Sequence, residues 1–381
     1  MKNLSLHRRI AFRLSAGAMA AALSCGASAV TLAGAEVSMS GRVVAGYDTT
    51  DNVAKPDGTS GTVSRAASNQ WGTSMLTINA TRTFTTGDTG YATLETGFGS
   101  DQGGSNDGKL WSRRAFVGLK STWGKLQFGK NLSISNAVWN IDPMGQQWSS
   151  TDTLVGGRNW NLAPGAIEYA TPDFGGAGVA FQYSPGGKVG DTKTGSKFGL
   201  DASYNGGPLS LHLVYDTAAC GDGQTSCTPG KYDNIYNASK EIIIGGTYQA
   251  GPAKLFAGWN GLSAPDANGI TNPKRAHQYW VGLNYQATAP LLLRAAVYTG
   301  GSDIDVGVRP FDGASPYGGK KGTLVTLGAD YALEKQMMLW ATVAFMKNGS
   351  NSTFSSENYW DTVPLAGKNQ HTLNFGFIFS F

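Results

Sequence analysis

Side chains able to do acid–base or nucleophilic chemistry are few in this 381-residue chain. Beyond residue 29 the histidines are His212, His277 and His371, far apart in the sequence. No serine sits in a G-x-S-x-G elbow and no H-E-x-x-H pair occurs, so hydrolase and zinc-protease chemistry have no footing. Gly300-Gly301-Ser302 and Gly318-Gly319-Lys320 resemble phosphate loops only superficially; they match no P-loop and precede no helical pattern. Catalysis is not expected, nor is a cofactor or a resident metal. Cys220 and Cys227 flank a polar stretch and read as one disulfide; metal binding is the rival, but no second ligand pair accompanies them. Arg294 falls on the polar side of an alternating segment, opposite Leu291, Leu293 and Ala295.

The first segment is an address. Lys2, Arg8, Arg9 and Arg13 precede the apolar, small-residue run Leu14–Leu23, and Ala27-Ser28-Ala29 fits a small-x-small cleavage site. A signal peptide over 1–29 is expected, with a second candidate cut after Ala35; a bare membrane anchor is the alternative. The leader holds four basic residues and no acid, so it accounts for the whole net charge of +4. The remainder is formally neutral and has no run rich in Lys or Arg, which argues against a nucleic-acid partner. Cys25 lies inside the leader, and Ala22 three positions earlier is a poor lipoprotein signal.

What positions these residues is a succession of strands. Leu373, Phe375, Phe377, Phe379 and Phe381 alternate with Thr372, Asn374, Gly376, Ile378 and Ser380, a period of two that puts the large aromatic residues on one face. Leu209–Asp216, Gln278–Tyr285, Leu291–Val297 and Val325–Tyr331 alternate in the same way. Strand-like segments also fall near 37–48, 71–83, 89–98, 110–120, 124–130, 165–172, 177–184, 195–205, 239–249, 252–260 and 336–347. With the last at 369–381 the total is about 16. Short turn-rich connections such as Thr85–Asp88 and Asn205–Gly207 exchange with long polar ones at 49–70, 100–109, 185–194, 217–238, 261–276, 300–321 and 348–368. That asymmetry suits a transmembrane barrel. No apolar run beyond residue 35 reaches the ~18 residues of a spanning helix. The expected fold is all-β: an antiparallel barrel over 30–381, wide enough at 16 strands to admit water. An exported soluble sandwich, such as an adhesin, explains poorly a final strand whose large apolar residues run to the carboxylate.

Several segments resemble the general trimeric porins of Gram-negative outer membranes. Arg113–Leu119 is similar to their R-x-A-F-V-G-L strand, Gly124–Lys130 to the strand that follows, Ile167–Gly176 to I-x-Y-x-S-P-x-F-x-G, and Gly90–Phe98 to a further strand. The terminal strand ending in Phe381 looks like the family's assembly signal. The resemblance implies a homotrimer in outer-membrane lipid and lipopolysaccharide, passing ions and small hydrophilic solutes. It implies that the long connection 131–163 folds inward and narrows the pore. It also places Arg42, Arg113 and Arg158 on a basic ladder, with Glu95 as an inward acid paired to it, Lys130 at the loop entrance and Asp142 and Asp152 as the loop's acids. Met75 stands where a further arginine is usual, and Asp142-Pro143-Met144-Gly145 replaces the usual acidic loop motif. The surplus of basic candidates implies a weak anion preference. A selective path for sugars or organic acids is the alternative, with Trp139, Trp148 and Trp160 as candidate lining.

Overall fold

The structure is a computed structural model, and it describes residues 29–304, 318–357 and 362–381. The leader expected over 1–29 therefore lies almost wholly outside the described residues. The chain forms β1 (Val30–Leu32), β2 (Ala35–Ala54), β3 (Ser60–Ser68), β4 (Ser74–Thr83), β5 (Thr89–Phe98) and β6 (Arg114–Ser121). Next come β7 (Gly124–Leu132), β8 (Leu162–Ala170), β9 (Ala177–Ser184), β10 (Lys197–Gly206), β11 (Leu209–Ala218) and β12 (Ser239–Ala250). The series ends with β13 (Ala253–Ser263), β14 (Arg275–Gln286), β15 (Leu291–Ser302), β16 (Gly322–Ala332), β17 (Met337–Asn348) and β18 (Gln370–Ser380).

Each strand pairs antiparallel with the next, except that β3 and β4 both pair with β2, and β18 returns to β2 through Ser380↔Arg42 to Thr372↔Thr50. The 18 segments fill sixteen barrel positions, because two positions are each shared by a pair of segments. β3 and β4 follow one another along the same side of β2, β3 against Ala45–Ala54 and β4 against Glu36–Arg42. β1 pairs with β2 at Ala35–Val37, in line with the end of β18. Closure leaves no open edge, which a hydrocarbon environment demands because it offers no partner for a free N–H or C=O. Even the last residue joins the seam. The Phe381 N–H donates to the Gly41 carbonyl at 3.0 Å, and the Gly41 N–H donates to the Phe381 carbonyl at 2.8 Å.

The sequence pattern locates most strands but misplaces one connection. The stretch 49–70 is not a loop: β2 runs on to Ala54, and β3 occupies Ser60–Ser68. Its Ser, Thr and Gly content masks the strand, because at the outer rim neither face needs large apolar side chains. The long connection expected over 131–163 is bounded by β7 and β8 and covers 133–161.

The outward parity of the strands is apolar: Leu373, Phe375, Phe377 and Phe379 are all exposed, as are Val117, Phe128, Val281 and Leu283. The inward parity is not uniformly polar. Val214, Ile243, Trp280, Tyr298, Leu324 and Met346 point inward and pack on Val138, Ile141, Met144, Leu154 and Val155 of the 133–161 loop. The barrel thus has a dry core between that loop and the wall formed by β11 to β17. Burying each such aliphatic side chain is worth about 1.5–3 kcal/mol, so the loop is held chiefly by its own apolar ridge.

The ridge needs a wall without side chains beneath it. Ile141 sits where a Cβ on Gly245 would come within 2.7 Å, Met144 where one on Gly328 would come within 3.0 Å, and Pro143 directly over Gly282. These glycines lie on β12, β16 and β14 and make a shallow seat. A Gly282→Val substitution suits strand geometry but collides with Pro143. It should unseat the loop tip, seen as a larger single-channel conductance and a lower heat-denaturation temperature than the unaltered barrel.

Candidate functional site: the constriction inside the barrel

The 133–161 loop enters the lumen through a short 3-10 turn at Ile134–Asn140. The Asn136 amide satisfies the carbonyls of Ser133 (2.8 Å) and Asn161 (3.0 Å), which holds the two ends of the loop together. Asp142 then organises the tip. One carboxylate oxygen accepts the Met144 N–H (2.8 Å) and the Tyr298 hydroxyl (2.5 Å), and the other accepts the Thr151 N–H (2.8 Å). Burial pushes the Asp142 carboxyl up from its usual range, and these hydrogen bonds oppose that rise. The wall completes the fastening. Gln278 donates to the carbonyls of Thr151 (2.7 Å) and Val155 (2.8 Å), Trp280 to that of Ile141 (2.8 Å) and Arg294 to that of Pro143 (2.7 Å).

The sequence-derived residues distribute unequally around this loop. Arg42 lies at the constriction. Its Nε donates to the Thr73 carbonyl (2.8 Å), its Nη2 to Gln146 Oε1 (2.5 Å), and its guanidinium lies 5.6 Å from the Trp71 ring centre. Gly72 makes this approach possible, because a Cβ there would meet Arg42 Nη2 at 2.7 Å. Arg113 and Arg114 share Glu95, which is 1% exposed, at 2.7 and 3.0 Å. Thr77 adds a hydrogen bond to the same carboxylate at 2.9 Å. Glu95 therefore offsets part of the positive charge of that wall. Arg294 pairs with Asp330 at 2.7 Å, and its guanidinium lies 6.0 Å from the Trp71 ring centre. The Cys220–Cys227 disulfide is present in the connection between β11 and β12, with Cα atoms 5.9 Å apart.

Four expected positions need correction. Arg158 is not on a ladder facing the lumen. It is fully buried between loop and wall, bonded to Asp216, 3.4 Å from Glu241, and donating to Ser239 Oγ at 2.7 Å. Lys130 shares a face with its cross-strand partner Ala115, two residues from the exposed Val117, and so points out of the lumen; its Nζ reaches the Trp111 carbonyl at 3.4 Å. Asp142 and Asp152 are buried inside the loop rather than turned toward the basic wall. For Arg158, Asp142 and Asp152 the physical reason is shared: a charge is kept inside the protein where hydrogen-bond donors or opposite charges are supplied, whatever its sign would do for the pore; Lys130 is turned away by strand parity.

Two residues of the constriction escaped the sequence reading. Trp71 sits in the break between β3 and β4, and a single strand over 71–83 hid it. Lys254 shares parity with Phe256 and opposes Leu255 in β13, a signal present in the sequence but not read. Beneath the loop, toward the short turns, Arg42, Trp71, Trp139, Lys254 and Arg294 line a cavity of about 630 Å³.

At the outer mouth a second segment folds inward. Ser352–Glu357 is buried, Ser149 Oγ of the inner loop donates to the Ser356 carbonyl at 2.9 Å, and Glu357 accepts from Arg65 (3.1 Å) and Thr50 (3.0 Å). Burial, with the neighbouring Asp48 carboxylate, pushes Glu357 up to about 8 against the pull of Arg65.

A closed sixteen-position barrel, narrowed by an inward loop and lined by basic side chains, defines an outer-membrane channel protein. Residues 16–351 match the model of the Gram-negative porin family, and the chain belongs to that family. It is 27% identical over 288 residues to an outer membrane porin protein of Bordetella pertussis, covering 67% of this chain and 72% of that one. Its fold is similar to an anion-selective porin from Comamonas acidovorans, with a TM-score of 0.70, 21% identity, and coverage of 91% of this chain and 100% of that one. It is also similar to the trimer form of OmpT from Vibrio cholerae, with a TM-score of 0.57, 14% identity, and coverage of 91% and 99%.

Two outcomes follow. Arg158→Ala leaves Asp216 and Glu241 buried without their cation and should cost about 3–5 kcal/mol, measured as a lower denaturation temperature together with a wider, noisier open channel. For Glu357 the folded value lies above the unfolded one. Its contribution to the docking of 349–357 is therefore full below about 4.5 and is lost as pH rises through about 8. Protease or hydrogen-exchange protection of that segment should fall between pH 5 and pH 9, and Glu357→Gln should flatten the dependence.

Proposed function

We propose that this porin passes ions and small hydrophilic solutes by passive diffusion with a weak preference for anions. One observation carries the preference. Arg42, Lys254 and the Asp330-paired Arg294 line the lumen cavity; Asp142 borders it too, but its carboxylate oxygens are taken up by Met144, Thr151 and Tyr298, and Asp152 is buried in the loop's packing. Among the described residues, Arg42 and Lys254 have no carboxylate within ion-pair distance. A net positive lining with low-dielectric walls raises the local anion concentration. The anion-selective porin whose fold this chain shares supports the same reading.

Assembly as a homotrimer is part of the proposal, supported by the trimer form of the Vibrio cholerae neighbour. So is export by a leader removed after Ala29, supported by the pairing of Val30 with Val37 in the sheet. Membrane lipid and lipopolysaccharide would then surround the barrel, and the channel would need no catalytic group.

The zero-current potential across a planar bilayer under a salt gradient tests the sign of selectivity. The expected sign is anionic, with conductance closing in thirds if three pores insert together. One unit charge felt through water at about 8 Å amounts to ~0.5 kcal/mol, about two-fold, favouring an anion and disfavouring a cation. Arg42→Gln should lower the anion-to-cation permeability ratio by about the square of that factor, roughly four- to six-fold. A cationic sign for the unaltered protein would overturn the preference.

A further inference from the structure

Porin lumens are polar, yet the cavity beneath the constriction loop mixes polar and charged side chains with apolar ones. Phe256 and Leu292 project into it from β13 and β15, where inward positions of a water channel are expected to be hydrophilic. Neither belongs to the apolar cores that pack the 133–161 loop or Trp71, so their burial serves no loop. Lys254 lies over the Phe256 ring, its Nζ 5.1 Å from the ring centre. Arg42 and Arg294 stand on the same cavity.

Trp139 of the inner loop also faces this space. Its Nε1 donates to Asn159, and Trp160 packs against it with ring centres 4.6 Å apart. The indole is therefore fixed in position, half-buried, with part of its surface on the cavity. An inorganic ion gains nothing from Trp139, Phe256 and Leu292. A solute with a flat apolar body and one carboxylate uses both kinds of wall. At about 630 Å³ the space falls within the ~300–1,000 Å³ usual for small-molecule sites.

We propose that this cavity is a weak binding subsite for aromatic monocarboxylates, with the ring against Trp139 and the Phe256–Leu292 wall and the carboxylate toward Lys254 and Arg294. The inference rests on the anion-preferring reading above and adds a chemical class to it. The channel stays open to other solutes; the subsite raises the residence of one class on its way through. An aromatic contact contributes about 0.5–1.5 kcal/mol beyond area burial, a tightening of roughly two- to ten-fold.

The test is block of chloride current through the refolded full barrel by benzoate and by cyclohexanecarboxylate, which match in charge and in ring size but differ in the π face. Benzoate is expected to half-block at a concentration about three-fold lower or more. Trp139→Leu should abolish that difference, and Lys254→Gln should weaken both acids alike. Equal block by the two acids in the unaltered barrel overturns the subsite, while an anionic zero-current potential in the same experiment shows that the broader preference still stands. A cationic potential would instead sink that preference itself. Should Trp139→Leu release the loop, seen as a rise in chloride conductance, the comparison of the two acids on the unaltered barrel decides alone.

Discussion

Everything in this molecule depends on closing a sheet where no water can satisfy its edges. A backbone N–H or C=O left free in hydrocarbon costs several kcal/mol, so the strand that finishes the chain must find the strand that begins it. The pairing of β18 with β2, completed by reciprocal bonds between Phe381 and Gly41, meets that demand. Closure at sixteen positions fixes a diameter too large for wall side chains to fill. The interior must then be partly water and partly something else, and the chain supplies the 133–161 loop.

That loop divides the barrel into two environments. On the side of β11 to β17 its apolar ridge meets inward Val, Ile, Trp and Leu side chains over a floor of glycines, and a protein-like core results. Arg158, Asp216 and Glu241 lie within that contact and act as a polar rivet. On the other side, Arg42 and Lys254 keep their charge available to the lumen, while Arg294 lines the same cavity paired with Asp330. The same residue type thus serves opposite ends. An arginine between two buried carboxylates holds the loop, whereas one bonded only to a carbonyl and an amide presents its charge to passing ions.

The strands were legible because lipid outside and water inside impose a period of two. The alternation at Leu373–Phe381 is the clearest instance, and the outward residues there are the exposed ones. The alternation failed where the inner side is dry. Ile242, Ile243 and Ile244 run together in β12 because Ile243 packs under the loop while its neighbours meet lipid. It failed again at Ser60–Ser68, where small polar residues form a strand at the outer rim and no side-chain pattern marks it.

The sequence by itself determined the class of fold, the alternation of short turns with long connections, the pairing of Cys220 with Cys227 and the inward parity of Arg294. These are local or near-local properties, fixed by the two-residue period of a strand and by which residues tolerate lipid. Tertiary structure alone decided which charges face the lumen. Arg158 and Arg42 are alike in sequence terms, and only the fold brings Asp216 and Glu241 to one and leaves the other beside Trp71 and Gln146. The partners of Arg158 lie 58 and 83 residues away along the chain. No spacing rule encodes such distances, because they are set by the course of a loop across the inside of a barrel.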